Sequence, residues 1–569
     1  MSSAQLTTEI GGRTVQLRPP ATVMSSADML TARSTRHSFS RSMLRRAISH
    51  NWQVTREIFD IDANGVGTVI YRIDAEGQTF RWVGFSTDIP DEDRTDRVIA
   101  KHWDITTCLV EGDVDAQRLE NLRSQVPLQE KGRADKGSLI WARANKSMRF
   151  FNYVADCLAS GNQPDRDYFG NSPYIVRSTA FYSNGRFNLV PFESFPANHP
   201  LQVPYRPHML SAWMLREFSI DLVEHVAKAK NPDAAELTED WRRYLGVGNA
   251  TGLGLVPYAL NHPLIMEAWA KAREFSLASA LSRTVDFSNE NDRANVALVS
   301  DLMDKAIAYF TERDITPGDP FPTDASIVAC LTSVREHFSK QIEIGGEGDV
   351  ALWSDLYHYA SNLDAECASL VASLITEITD DIDNLLRVDE IFCLEPTMTV
   401  AKTRQLIAEH YQWVLDIDFD DPRNTEYMWY LSKTNEEPRR IKRVEVNKPE
   451  SELQIGIARR VFELDQLLAQ TDDDETIAQF LLNNPDQRYW VARVQLMSKT
   501  VYGEARHNAL NGDFLPLSLQ RFQLAMYGMS NYNPKSTDWL RVTLMTGMPS
   551  VRDVSDESES NWLFVGPPR

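Results

Sequence analysis

Between residues 51 and 110 apolar and polar positions alternate with a period near two, and beyond about residue 208 the spacing lengthens to three and four. The first pattern predicts strands. Val54 to Asp62 alternates irregularly, Thr68 to Ile73 and Thr79 to Phe85 follow as further strands, and Asn64-Gly65 and Ala75-Glu76-Gly77 supply the turns of an antiparallel meander. The apolar run Ile105 to Val110 extends that sheet. Helical spacing over Asp115 to Gln125 and Met148 to Leu158 predicts helices that cover one face. Ser160 to Pro173 reads as a loop, after which Tyr174 to Phe181 and Arg186 to Val190 flank Asn184-Gly185 as a further hairpin.

The second pattern predicts helices over Met209 to Ala229, Pro263 to Leu281, Arg293 to Phe310 and Asp324 to Lys340. A stripe of Leu352, Leu356, Tyr359, Leu363, Cys367, Leu370, Leu374, Ile378, Ile382 and Leu385 predicts one helix of about nine turns at 3.6 residues per turn. Pro and Gly break the pattern at Thr311 to Thr323 and at Ile344 to Asp349. Asp420 to Glu450 is irregular, with a strand at Tyr427 to Leu431, and helical spacing returns over Leu453 to Leu468 and Arg488 to Leu510. The acidic stretch Asp553 to Glu559 reads as a mobile tail. The fold class expected is α+β: an N-terminal antiparallel β-meander with covering helices, then a large mainly helical body. Its divisions fall at 1–50, 51–195, 196–420 and 421–569.

Composition narrows the function classes. A chain of 569 residues buries a large core without disulfide or metal staples. With 80 Asp and Glu against 59 Lys and Arg it repels a polyanion on average, so nucleic acid is not expected as a partner. Five cysteines without a CxxC pair suit a reducing compartment. No apolar run is long enough to span a bilayer, so no membrane partner is expected, and a cytoplasmic location follows. Residues 1–50 carry seven arginines among many serines but only Glu9 and Asp28 as acids. That bias gives an organellar matrix as a minor alternative; the preferred reading is a solvated arm that turns into a helix around Ser40 to Ser49.

Two short segments carry candidate chemistry. Gly246-Val247-Gly248-Asn249-Ala250-Thr251-Gly252-Leu253-Gly254 reads as a glycine-rich loop whose N–H groups converge on an anion, with Asn249 and Thr251 as side-chain donors. Asn261-His262-Pro263 then opens a helix. In Val203-Pro204-Tyr205-Arg206-Pro207-His208 two prolines hold a segment that presents a phenol, a guanidinium and an imidazole. Arg177 is a third anion contact. The structural alternative makes Gly246 a helix terminator, the other glycines close-packing positions, and Arg206 an ion-pair partner.

Other motifs fail on their own terms. Asp60-Ile61-Asp62-Ala63-Asn64-Gly65 begins like a calcium loop but has Tyr71 where a bidentate Glu is needed. Val98 to Lys101 resembles a kinase lysine strand without the loops that must follow. Asp416, Asp418, Asp420 and Asp421 are better read as solvated than as a metal site, and no metal is assigned. No cofactor motif is legible, so the cofactor stays unknown. The expected function is a soluble enzyme performing non-redox acid/base chemistry on a small carboxylate or phosphate. His208 and His262 would move protons, and Arg177, Tyr205, Arg206 and the glycine segment would bind. The alternatives are a non-catalytic ligand-sensing or assembly subunit, homo-oligomeric if so assembled, and a nucleotide-using transferase.

Overall fold

The structure, a computed structural model, describes residues 7–10, 13–33, 35–93, 102–126, 137–170, 172–183, 195–196, 198–252, 262–312, 324–345, 349–379, 383–388, 394–421, 427–431, 438–442, 457–506, 522, 524–536, 539–552 and 562–568. The chain forms two compact units, each built from separate stretches: 34–251, 283–378 and 524–569 make one, and 1–33, 252–282 and 379–523 the other.

The first unit is organised on a nine-stranded sheet. In chain order its strands are β1 (Gln53–Ile61), β2 (Gly67–Ala75), β3 (Gln78–Ser86), β4 (Ile105–Glu111), β5 (Ser138–Lys146), β6 (Tyr174–Ser183), β7 (Gly246–Gly252), β8 (Ser530–Ser536) and β9 (Trp539–Leu544). The spatial order is β8-β9-β7-β6-β5-β4-β3-β2-β1. Strands β1 to β3 are the predicted antiparallel meander and β4 its expected extension; β5, which the sequence did not signal, and β6 continue the antiparallel pairing. Their turns follow the sequence: Gly65 has φ +79°, and Glu76 and Gly77 adopt φ +51° and +82°. Both positive angles at Glu76-Gly77 are what a tight hairpin with right-handed strand twist requires. Asp62 closes the Asn64-Gly65 turn through its carboxylate, which accepts from the Asn64 and Val66 amides. The hairpin partner expected at Arg186 to Val190 lies outside the described residues.

Alternation along the strands sorts two apolar faces. Ile70, Val83, Phe85, Cys108, Val110 and Trp141 pack under helix α2 (Ala116–Gln125) through Leu122, and Asp115 caps that helix on the Arg118 amide. The opposite parity turns to α4 (Arg206–Lys230): Trp82 donates to the Ser211 hydroxyl at 3.3 Å and its ring lies 5.6 Å from Phe218, while the Tyr71 hydroxyl donates to Asp221 at 2.7 Å. Helices α1 (Phe39–Ser49) and α3 (Phe151–Ala159) also pack on α4. That leaves α4 buried almost all round.

The segment read as a glycine-rich loop is strand β7, paired parallel to β6 with Arg177 opposite Gly248 and Ser178 opposite Asn249. A parallel pair needs a crossover, and α4 and the short helix Glu239–Tyr244 provide it. Arg216 of α4 holds the crossover: its guanidinium donates to Leu245 O at 2.7 Å, to Pro549 O at 3.1 Å and to Arg242 O, and pairs with Glu217 at 2.8 Å.

The helices of this unit include α5 (Glu290–Glu312), α6 (Asp324–Ile344), α7 (Leu352–Leu363) and α8 (Ala365–Ile375). The single nine-turn helix expected over 352–385 is not formed. It breaks at Asp364, which is extended (φ −163°, ψ 144°) and caps α8 by accepting from the Glu366 and Cys367 amides. The aspartate's local bonds outcompete continuation of the helix. Leu352, Leu356, Cys367, Leu370, Leu374 and Ile378 of the stripe are still buried because α7 and α8 pack on each other, whereas Leu363 at the break is exposed. Replacing the cap, Asp364→Ala, is expected to cost about 1 kcal/mol, read as a lower urea midpoint at unchanged slope.

The second unit is mainly helical, with a hairpin of Thr7–Ile10 and Arg13–Gln16, helices Pro263–Ser282, Val400–His410, Ile457–Leu468, Ile477–Asn483 and Arg488–Leu496, and a two-stranded ribbon of Tyr427–Leu431 with Pro438–Lys442. The helix Arg488–Leu496 ends before the Arg488 to Leu510 spacing runs out. Tyr502, Glu504 and Arg506 lie on bent chain, and His507 onward is outside the described residues. Glu504 is buried here: it accepts from Arg493 at 2.7 and 3.0 Å and from the Tyr411 hydroxyl at 2.9 Å. Among the described residues no helix is long and apolar enough to cross a membrane.

Candidate functional site

The expected solvated arm is largely interior. Thr35, His37, Ser38, Ser40, Arg41 and Ser42 are all buried. Helix α1 starts where the serines cluster, with Ser38 extended at its N-cap, and its first turn packs toward the start of α4. The same packing brings Arg206 to Ser42: the guanidinium donates to the Ser42 hydroxyl at 3.4 Å and to Pro200 O at 3.0 Å. The segment begins at Tyr205 in the left-handed region (φ +59°), a conformation few non-glycine residues adopt without a compensating contact. Its ring is held 5.2 Å from Phe39, 4.8 Å from Tyr527 and 5.4 Å from His208. Gly528 follows Tyr527, and a Cβ there would come within 2.6 Å of the Ser38 hydroxyl.

Two helix N-termini therefore meet in the interior, where Arg206 reaches Ser42 and Tyr205 lies against Phe39 and His208. Each N-terminus carries a partial positive charge. Burial pushes the Arg41 guanidinium down to about 10 even though Glu377 pulls it the other way. Glu377 also pairs with Arg45 at 2.6 Å. Burial likewise pushes the Tyr205 phenol up to about 12. The Arg206 guanidinium, the α4 N-terminus and the buried serine hydroxyls supply donors that suit a small anion, and His208, 5% exposed, stands in an enclosed setting beside them.

Comparison of the chain with family models, curated proteins and solved structures returns no match.

Of the residues singled out from sequence, Tyr205, Arg206 and His208 stand together at this centre. Arg177 and Gly248 are brought together elsewhere, as ladder neighbours in β6 and β7, with Gly246, Asn249, Thr251 and Gly252 on the same strand. The Gly246 amide already donates to Pro173 O at 2.8 Å. Gly254 lies outside the described residues. Missed were His37, Ser38, Ser40, Arg41 and Ser42. Their signal was the Arg/Ser density itself, which burial turns from a solvated run into a lined interior.

His262 belongs to the other unit. Burial, reinforced by Arg493, pushes its pKa down to about 4, so it is neutral at pH 7 and can accept a proton but not supply one. An unfolded histidine titrates near 6.5. The unfolded chain therefore gains a proton between pH 6.5 and about 4 that the folded chain does not. This contribution is fully present above pH 6.5 and is lost as the pH falls, by at most about 1.4 kcal/mol per pH unit. His262→Gln should show a shallower fall of the urea midpoint across that window than the native chain. In the acidic run Asp416 to Asp421, Asp416 accepts from Gln412 and Asp418 from the Asp420 amide, and no His, Cys, Asp and Glu group among the described residues is placed to hold a metal.

Proposed function

We propose that the protein binds a small carboxylate or phosphate where the N-termini of α1 and α4 meet, and performs non-redox acid/base chemistry on it with His208 as the proton-exchanging group. The observation that supports this reading is the Arg206 to Ser42 contact, which joins two buried helix starts. Arg41 and Arg206 would neutralise the anion, and the serine hydroxyls would orient it. His208 would add or remove a proton in a setting where water does not compete.

The test is thermal unfolding of the full chain titrated with inorganic phosphate, acetate and succinate. A ligand at 100 times its dissociation constant stabilises the native state by about 2.7 kcal/mol, so one of the three is expected to raise the melting temperature. Arg206→Gln and Ser42→Ala should abolish that rise, and His208→Gln should keep it while removing any turnover of the bound compound. A chain stabilised by none of them, or equally in all variants, leaves the two arginines as structural cations holding Pro200 O and Trp562 O.

A further inference from the structure

We propose that Cys330 and Cys367 are a modification site, forming a disulfide that ties α6 to α8 when the protein meets a peroxide. Neither their spacing of 37 residues nor any motif suggests the pair; the fold makes it. Cys330 lies two turns into α6, at the edge of the stripe Ile327, Leu331, Val334 and Phe338 that faces the core. Cys367 is in the first turn of α8, 1% exposed, its position fixed by the Asp364 cap. The two helices pack together, and the two thiols lie near enough to influence each other's ionisation.

The two sulfurs differ in access. Cys330 is half-buried and Cys367 buried, so the oxidant reaches Cys330 first. Its thiolate attacks one peroxide oxygen, giving a sulfenic acid and one water. The Cys367 sulfur then attacks the sulfenic sulfur, forming the S–S bond and releasing hydroxide, which leaves as a second water with the thiol proton. Two thiols and one peroxide thus become one disulfide and two waters. Burial raises both thiols above the ordinary range, and the Asp364 carboxylate adds to this. The reaction is therefore slow and marks sustained oxidation. Cys108, fully buried in the sheet core, and Cys157, on α3, belong to other parts of the unit.

The test uses the full chain treated with hydrogen peroxide, unfolded in an alkylating reagent and digested without reduction. The expected result is a Cys330–Cys367 linked peptide that disappears on dithiothreitol treatment, with Cys108 and Cys157 alkylated. Oxidation should also raise the melting temperature of the native chain and leave that of Cys330→Ser unchanged. Recovery of both cysteines alkylated, of Cys330 over-oxidised without a link, or of Cys367 joined to another cysteine overturns the proposal.

Discussion

Arg493→Ala is expected to destabilise the protein by about 3–5 kcal/mol, because it strands the Glu504 carboxylate in the interior of the helical unit. Arg493 is wholly buried and Glu504 nearly so, and the pair is bidentate at 2.7 and 3.0 Å. Tyr411 donates to the same carboxylate, and the Tyr489 hydroxyl accepts from Arg493 at 2.9 Å. The net value of the pair over apolar packing is small, since each charge is desolvated to make it. The double replacement Arg493→Met with Glu504→Leu should therefore recover most of the loss. A double-mutant cycle by urea unfolding measures this; equal losses in the single and double variants would show that Glu504 tolerates isolation.

Gly248→Ala is expected to cost about 1–3 kcal/mol through overpacking. A Cβ at that position would lie 2.5 Å from Cγ of Tyr174, which is itself buried at the start of β6. At Gly246 the obstacle is the backbone carbonyl of Leu544 in the neighbouring strand, so Gly246→Ala forces strands apart and should cost at least as much. The two differ in their cure. In a Tyr174→Ala background Gly248→Ala should become nearly neutral, whereas Gly246→Ala should stay as costly as before, by chemical unfolding. A glycine kept for ligand approach would behave otherwise, losing anion binding at unchanged stability.

The meander was legible because its faces are sorted by residue-to-residue alternation and its turns are set by local chemistry at Asn64-Gly65 and Glu76-Gly77. The helices from Met209 to Lys340 were legible for the same reason, with ends extended by a few residues. What failed was non-local. A run of glycines carries no side-chain pattern, so nothing in it distinguishes a loop from a strand wedged between Tyr174 and Leu544. The 352–385 stripe has the right period, yet a period records which face is inward and not whether the axis is continuous; Asp364 decides that. At the candidate centre, Tyr205, Arg206 and His208 were visible because prolines punctuate them. Ser38 to Ser42 were not, because burial of a polar segment depends on what packs over it, here Tyr527 and Gly528 from the far end of the sequence.

The route by which β7 gains its second neighbour sets an order on synthesis. On one side β7 pairs with β6, which precedes it; on the other it pairs with β9, whose residues Trp539–Leu544 leave the ribosome far later. Until then β7 is an exposed sheet edge made largely of glycine, alanine and threonine, without the lysine or proline that discourages edge pairing. Chains interrupted before residue 544 carry that open edge permanently. They are the species a chaperone would meet and the ones to look for in the insoluble fraction when translation stalls.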